Sequence, residues 1–332
     1  MNLAFVGLRH EHIFGLYEKA KSCPGVKVIS AWEEDEAARN IAQKRLNEPF
    51  YSSFDDLLSD PRVDAVAVGD YYGIRGERIA KALNAGKAVI SDKPLCTSLE
   101  ELETIRTLAL KKHINVTCML DLRYDPAVRM ARRLVRDDRL GRIHVANFTG
   151  QHPLDWGTRP HWYFEAGKHG GTINDIAIHG IDTLRYVTGL EFVRPVAART
   201  WNAFAHQAPL FHDCAQFMAE FEGNAGVTAD VSYAAQSGTA WSMPSYWRFN
   251  IWGEEGAIEF RFGRGKVLFA EKGRPIEEID CSAVGDNWLT DFKKPFDEAA
   301  LRDTLASQEA VLRIQNMANN GDLLSACVSF GL

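Results

Sequence analysis

Over its first 120 residues the chain alternates short apolar, β-branched runs with stretches of helical period, and that alternation leaves few folds open. The runs Leu3 to Val6, Val26 to Trp32, Val63 to Val68, Ala88 to Ile90 and Asn115 to Met119 read as strands. Between them, Ile13 to Lys21, Glu36 to Leu46, Glu77 to Ala85 and Leu99 to Lys112 read as helices, the third of them stopped by Gly86. Val63 to Val68 is apolar almost without a break, which suits a strand covered on both faces, as in a parallel sheet. Strand and helix in strict succession, joined by short connections, predict a doubly wound parallel α/β sheet.

The pattern changes beyond about residue 122. A helix (Pro126 to Val135), a strand (Ile143 to Thr149), a loop rich in His, Trp, Pro and Gly and a helix (Ile173 to Val187) come first. Alternating segments follow: Val196 to Trp201, Asp213 to Phe221, Gly226 to Ala234, Trp247 to Trp252, Ala257 to Phe262 and Lys266 to Phe269. Glycine-containing turns separate most of them, so an α+β domain with a large, open, mostly antiparallel sheet is expected, closed by a helix from Glu298 to Asn319. The expected division is 1–122 and 123–332, and a length of 332 residues suits two domains.

Composition removes several classes of function. Thirty-eight Lys and Arg against 44 Asp and Glu give a net charge of −6, with no basic stripe, so a nucleic-acid partner is not expected. The densest basic stretch, around Arg129, Arg132, Arg133 and Arg136, is interleaved with Leu134 and Val135 and reads as the solvated face of a helix. No apolar run approaches the ~20 residues of a membrane helix, and the first residues lack the basic leader of a secretory signal. Six scattered cysteines without a C-x-x-C pair suggest reduced thiols and a cytoplasmic protein.

A dinucleotide fold places a glycine-rich turn between its first strand and helix, where backbone amides meet a pyrophosphate. Here the turn is Gly7-Leu8-Arg9-His10-Glu11-His12, with Arg9 and His12 in the second and third glycine positions. Arg9 can oppose phosphate oxygens, although a plain βα turn that binds nothing reads equally well. His10 and His12 form a His-x-His pair without a third ligand close in sequence, and no metal is expected. Glu33 and Glu34 follow the second strand, where an acid would hold the adenosine ribose. Two acids would repel a 2′-phosphate, which leans toward NAD over NADP.

Two further motifs can carry chemistry. In Asp92-Lys93-Pro94-Leu95 the proline holds Lys93 extended at the carboxyl end of a strand, where α/β sheets place their ligands; a surface lysine is the bland alternative. In His169-Gly170-Gly171-Thr172-Ile173-Asn174-Asp175-Ile176-Ala177-Ile178-His179, Asp175 and His179 stand four apart, on one face of a helix. They can act as an oriented imidazole for proton transfer. Equally, Thr172 and Asp175 fit a helix-capping arrangement, with His179 an ordinary buried histidine.

Together these residues resemble the glucose–fructose oxidoreductase, inositol dehydrogenase and rhizopine-catabolism (Gfo/Idh/MocA) family, marked by Glu-Lys-Pro and by a glycine-rich lead into D-x-G-x-H. Asp92-Lys93-Pro94 and Gly170-Gly171…Asp175…His179 stand in those places. Val63-Asp64-Ala65-Val66, Ala82 to Lys87, Arg123-Tyr124-Asp125-Pro126, Leu140 to Ile143 and Gly253 to Gly256 follow in family order. The likeness covers nearly the whole chain. It departs at Arg9, at His12, at Asp70-Tyr71 for Thr-Pro, at Arg75 for His, at Trp162-Tyr163 for Trp-Arg, at Asp92 for Glu and at His169 for Gly.

The resemblance implies a Rossmann domain followed by the open-sheet domain, a cis bond before Pro94, and an NAD(P)-dependent dehydrogenase. Its substrate would be a secondary alcohol of a sugar, polyol or derivative. Lys93, Asp175 and His179 would be catalytic, with His179 or Lys93 as base. Gly7, Leu8, Arg9, His10, His12, Glu33, Asp70, Arg75, Asp92 and Lys93 would face the cofactor, and Arg123, Tyr124 and Trp162 the substrate. Copies would pair through the open sheet as a homodimer or homotetramer. Two other classes stay open: a nucleotide- or sugar-sensing regulator on the same fold, and a metal-assisted hydrolase or isomerase drawing on the histidines.

Overall fold

The computed structural model describes residues 1–282 and 288–325, which form two compact units. The first contains Met1–Met119, and Pro160–Gly170, helix α8 and the part of helix α9 up to Gln308 also pack within it. The second contains Leu120–Arg159, the strands that follow Gly171, and α9 from Glu309 onward.

In the first unit, strands β1 (Asn2–Val6), β2 (Lys27–Trp32), β3 (Ala65–Val68), β4 (Ala88–Ser91) and β5 (Val116–Cys118) make one sheet in the order β2-β1-β3-β4-β5. Every pair is parallel, and all four residues of β3 are buried, as its unbroken apolar run requires. The helices are α1 (His12–Ser22), α2 (Glu36–Arg45), α3 (Phe54–Ser59), α4 (Tyr72–Asn84) and α5 (Leu99–Lys112), with α8 (Trp288–Phe292) and α9 (Glu298–Ser325) later in the chain. Asp35 caps α2, Ser53 caps α3, and Ser98 with Glu101 closes a reciprocal capping box on α5.

Helix α4 begins at Tyr72, five residues before the sequence pattern turns helical, because Gly73 and Gly76 occupy its first turns. Both glycines are demanded by neighbours. A Cβ on Gly73 would run into the carbonyl of Gly167, and one on Gly76 would meet the Glu101 carboxylate. The Gly73 N–H donates to Lys168 O (2.9 Å), which fastens Pro160–Gly170 to the start of α4. Gly69, at the end of β3, has Ile13 of α1 against it, so the close approach of helix to sheet is gained there rather than in the turn after β1.

The second unit is built on eight strands: β6 (Ile143–Pro153), β7 (Phe192–Trp201), β8 (Cys214–Phe221), β9 (Ala225–Ala235), β10 (Arg248–Gly253), β11 (Gly256–Arg261), β12 (Lys266–Glu271) and β13 (Glu277–Asp280). Their order is β13-β12-β11-β10-β6-β9-β8-β7, antiparallel throughout except for the parallel pair β6 and β9. One face is covered by α6 (Pro126–Arg136) and α7 (Ile178–Thr188). Gly180 lets α7 lie on the Phe148 ring of β6, where a Cβ has no room. Strand β13 and helix α3 are short, polar-flanked elements without a readable period. Among the described residues no helix is long and apolar enough to cross a membrane.

Candidate active site

In the first unit the site grows from the carboxyl ends of β1, β3 and β4. Strand β4 delivers Asp92, Lys93 and Pro94, and the Lys93–Pro94 bond is cis, as the resemblance implied. Lys93 is 5 % exposed, and its ammonium lies 5.9 Å from the centre of the Tyr72 ring. Its backbone is held from both sides. The Lys93 N–H donates to Asp92 Oδ1 (2.7 Å), and Lys93 O accepts from Arg75 Nη1 (2.5 Å). Gln308 of α9 accepts from the Leu95 N–H (2.8 Å) and so braces the turn just past the proline.

Arg75, which the resemblance set against a cofactor, is instead enclosed by protein. It is 0 % exposed and donates to Asp70 O (2.7 Å), Lys93 O, Pro94 O (3.1 Å) and Asp92 Oδ2 (3.2 Å). A fully desolvated guanidinium needs such partners, and here they are the turns that end β3 and β4.

The turn after β1 is dense with side chains. Gly7 takes φ 65°, with Asp70 directly against it. The Leu8 N–H donates to Glu33 Oε2 (2.6 Å) and the His10 N–H to Gly69 O (2.9 Å). Arg9 lies among acids: Glu33 at 3.1 Å, Glu34 at 3.0 Å and Asp70 at 3.4 Å. Arg78 adds a second cation on Glu34 at 2.8 Å.

His10 is buried. Its Nδ1 meets Asp92 Oδ2, and its Nε2 lies 2.8 Å from the Tyr163 hydroxyl, which in turn is 2.8 Å from the hydroxyl of Tyr72. Burial pushes the His10 imidazolium down, to about 3, in spite of Asp92. The ring is therefore neutral near pH 7. Against a carboxylate that can only accept, Nδ1 carries the hydrogen and Nε2 accepts from Tyr163. Trp162 stacks on Tyr163 at 4.2 Å and donates from its indole N–H to Arg9 O (3.3 Å). His169 lies 5.2 Å from the Tyr163 ring.

In the second unit a π-helical turn, Ile173–Ala177, runs into α7 and carries Asp175. Such turns recur at functional sites. The capping alternative for Thr172 and Asp175 is not realised, since the Thr172 hydroxyl donates to His212 O and Asp175 Oδ2 accepts from the Tyr233 hydroxyl. The start of this turn is satisfied by Gln315 of α9, whose Oε1 accepts from the Ile173 N–H (3.0 Å). Gly171, at φ 98°, leaves space for that amide, where any Cβ would collide with it. His179 is buried with its ring 5.8 Å from the Trp247 ring. Arg123 forms a two-pronged pair with Asp182 (2.6 and 2.5 Å), and Tyr124 lies 5.4 Å from the Arg129 guanidinium. Spacing alone gave no sign of Tyr72, Tyr233, Gln308 or Gln315, because each meets its partner from a distant element.

The residues at β1 and β2 can receive a nicotinamide dinucleotide on different terms from a bare glycine turn. The half-exposed Glu34 carboxylate stands at the end of β2, where ribose hydroxyls are held, and Arg9 supplies the positive charge at the turn. With two of the turn's amides engaged within the protein, a pyrophosphate would be met by the Arg9 guanidinium in competition with Glu33 and Asp70.

A parallel Rossmann sheet carrying a buried lysine at a strand end, followed by a large open sheet carrying an Asp–His helix, defines a two-unit oxidoreductase architecture. The model of the oxidoreductase family with an NAD-binding Rossmann fold matches residues 1–120, and that of the GFO/IDH/MocA C-terminal domain matches residues 128–259. The chain belongs to the Gfo/Idh/MocA family of oxidoreductases. It is 34% identical to 1,5-anhydro-D-fructose reductase of Ensifer adhaerens over 272 residues, covering 80% of this chain and 69% of that one. It is 28% identical to scyllo-inositol 2-dehydrogenase (NAD(+)) of Bacillus subtilis strain 168, covering 77% and 72%. A structure of levoglucosan dehydrogenase in complex with NADH superposes with a TM-score of 0.78 at 20% identity, covering 98% of this chain and 97% of that one, and shares the fold.

Burial raises the Asp70 carboxyl to about 6, outweighing the Arg9 charge beside it. A carboxyl whose folded pKa exceeds its unfolded value binds protons more tightly in the folded state, so stability falls as pH rises from about 4 to about 6. Asp70→Asn is expected to remove that fall and to raise Tm at pH 7.5. Thermal melts between pH 4 and 7.5 check this, and a mutant curve parallel to wild type would contradict it.

Proposed function

We propose that the protein reversibly oxidises a secondary alcohol of a sugar or polyol, with NAD(H) as the preferred partner. When bound, the nicotinamide accepts or returns the hydride. The observation that carries this reading is Lys93, a buried amine whose backbone is held at the carboxyl end of β4 by Arg75 and Asp92. An ammonium in that position can hydrogen-bond the reacting hydroxyl and stabilise the oxygen as it gives up its proton. In the second unit we assign the role of base to His179 and its support to Asp175, which the Tyr233 hydroxyl holds in one orientation. Of the two acids that the sequence set against a 2′-phosphate, Glu33 is enclosed and bonded to Leu8, Arg9 and Asp35, so the lean to NAD rests on the half-exposed Glu34, itself paired with Arg9 and Arg78.

Trp162 and Tyr163, stacked on each other beside the turn, are buried and brace His10 and Tyr72. Arg123 and Tyr124 support the second unit through Asp182 and Arg129. The outward face of the open sheet carries Val145, Met218, Trp252 and Leu268, each at least a third exposed, among polar pairs such as Asn147 with Asn250. Pairing of two copies through that face would cover them, and sedimentation of the pure protein as a monomer would exclude it. Among the described residues no two cysteines form a disulfide, which suits a reducing cytoplasm.

A regulator that binds nucleotide without turnover draws on Arg9, whose acidic partners limit what the turn offers a pyrophosphate. Incubation with NAD or NADP and a panel of polyols and sugars, read as absorbance of reduced cofactor, separates the two readings. Turnover supports the dehydrogenase, and tight binding without turnover supports the regulator. In a turning-over enzyme Lys93→Met is expected to lower kcat about 100- to 10,000-fold. Wild-type kcat in that variant would overturn the role given to Lys93.

A further inference from the structure

The sequence leaves His10 and His12 without a third ligand, and the fold supplies one from the end of β4. His10 Nδ1 faces Asp92 Oδ2, and His12 Nδ1 lies 3.3 Å from Asp92 Oδ1. The candidate ligand atoms of the three residues all lie within 4.8 Å of one another, the one place among the described residues where three such groups converge. We propose that His10, His12 and Asp92 bind a divalent first-row transition cation, with zinc as the working probe.

Two imidazoles and one carboxylate are the donor set that zinc, cobalt and iron(II) accept, and three protein ligands leave positions open for water or substrate. The burial of the ligands is graded to match. Asp92 and His10 are enclosed, whereas the His12 side chain is 52 % exposed, so a cation can enter from its side and His12 can swing in to complete the shell. Asp92 is oriented from within by Arg75 and by the Lys93 N–H.

The outer shell of His10 is equally suited. A histidine that ligates through Nδ1 gives up the hydrogen there and carries it on Nε2, which then needs an acceptor. The Tyr163 hydroxyl stands at that nitrogen and can accept, because the Tyr72 hydroxyl, 2.8 Å further on, takes the hydrogen Tyr163 formerly donated to His10. The network thus serves the metal-free and the metal-bound tautomer without moving a heavy atom. This inference is independent of the dehydrogenase reading, since it concerns the cation alone and its test needs no turnover.

The test uses the full-length chain, stripped with chelator and titrated with Zn2+ by calorimetry and with Co2+ by visible absorption. One cation per chain is expected, with Co2+ bands characteristic of nitrogen and oxygen ligands. His12→Gln is expected to lose the binding at concentrations that saturate wild type. Tyr163→Phe is expected to weaken it about 10–100-fold while retaining all three ligands. Circular dichroism verifies that each variant is folded, and His12→Ala replaces His12→Gln if the latter is not. Equal affinity in wild type and the His12 variant, or bands of thiolate ligation, would overturn the proposal.

Discussion

The Arg75 guanidinium has five N–H donors and no solvent to offer them to, so its surroundings must supply acceptors or the unit does not close. It finds them in the backbone of Asp70, Lys93 and Pro94 and in the Asp92 carboxylate. Hydrogen bonds to a charged group contribute about 1.5–3 kcal/mol each, and stranding the charge would cost more. The interaction therefore ties the end of β3 to the end of β4 and fixes the backbone of Lys93, the residue proposed to hold the reacting oxygen. Lysine at position 75 would keep the charge but not the planar fork that reaches several acceptors at once.

The turn after β1 follows the same logic in reverse. A glycine-rich turn leaves its amides open to an anion, whereas here Glu33 and Gly69 O take two of them and Arg9 projects a charge in their place. Affinity for a dinucleotide then depends on side-chain electrostatics, which salt and pH can tune, rather than on bare backbone. The same crowding brings two histidines to one carboxylate. The site is consequently richer in proton-exchanging and metal-ligating groups than a simple dinucleotide turn.

Much of the fold was legible in the sequence because its signals are local. Unbroken apolar runs such as Ala65–Val68 can only be doubly covered strands, and the alternation in Gly226 to Ala234 marks a one-sided sheet. The start of α4 was hidden because Gly73 and Gly76 serve tertiary approach rather than helix propensity. The return of Pro160–Gly170 to the first unit is likewise tertiary, secured by the Gly73 amide, the Trp162 indole and the Tyr163 hydroxyl. Lys93, Asp175 and His179 stood out through their motifs, yet the roles of Arg75 and Asp92 did not. Arg75 meets Asp92 across 17 residues and Asp92 meets His10 across 82, and no period records such contacts. For Asp175, spacing allowed a helix cap, and its bond to the Tyr233 hydroxyl within a π-helical turn, set by an element 58 residues on, excludes that cap.

The claim beneath all of this is that Arg75 positions Lys93 for reaction. The measurement that tests it most directly is kcat of Arg75→Lys beside wild type on one polyol, corrected for folded fraction and followed by reduced-cofactor absorbance. A fall of about 100-fold, the cost of a misplaced reacting group, is the predicted result. An unchanged kcat in the folded variant would contradict it.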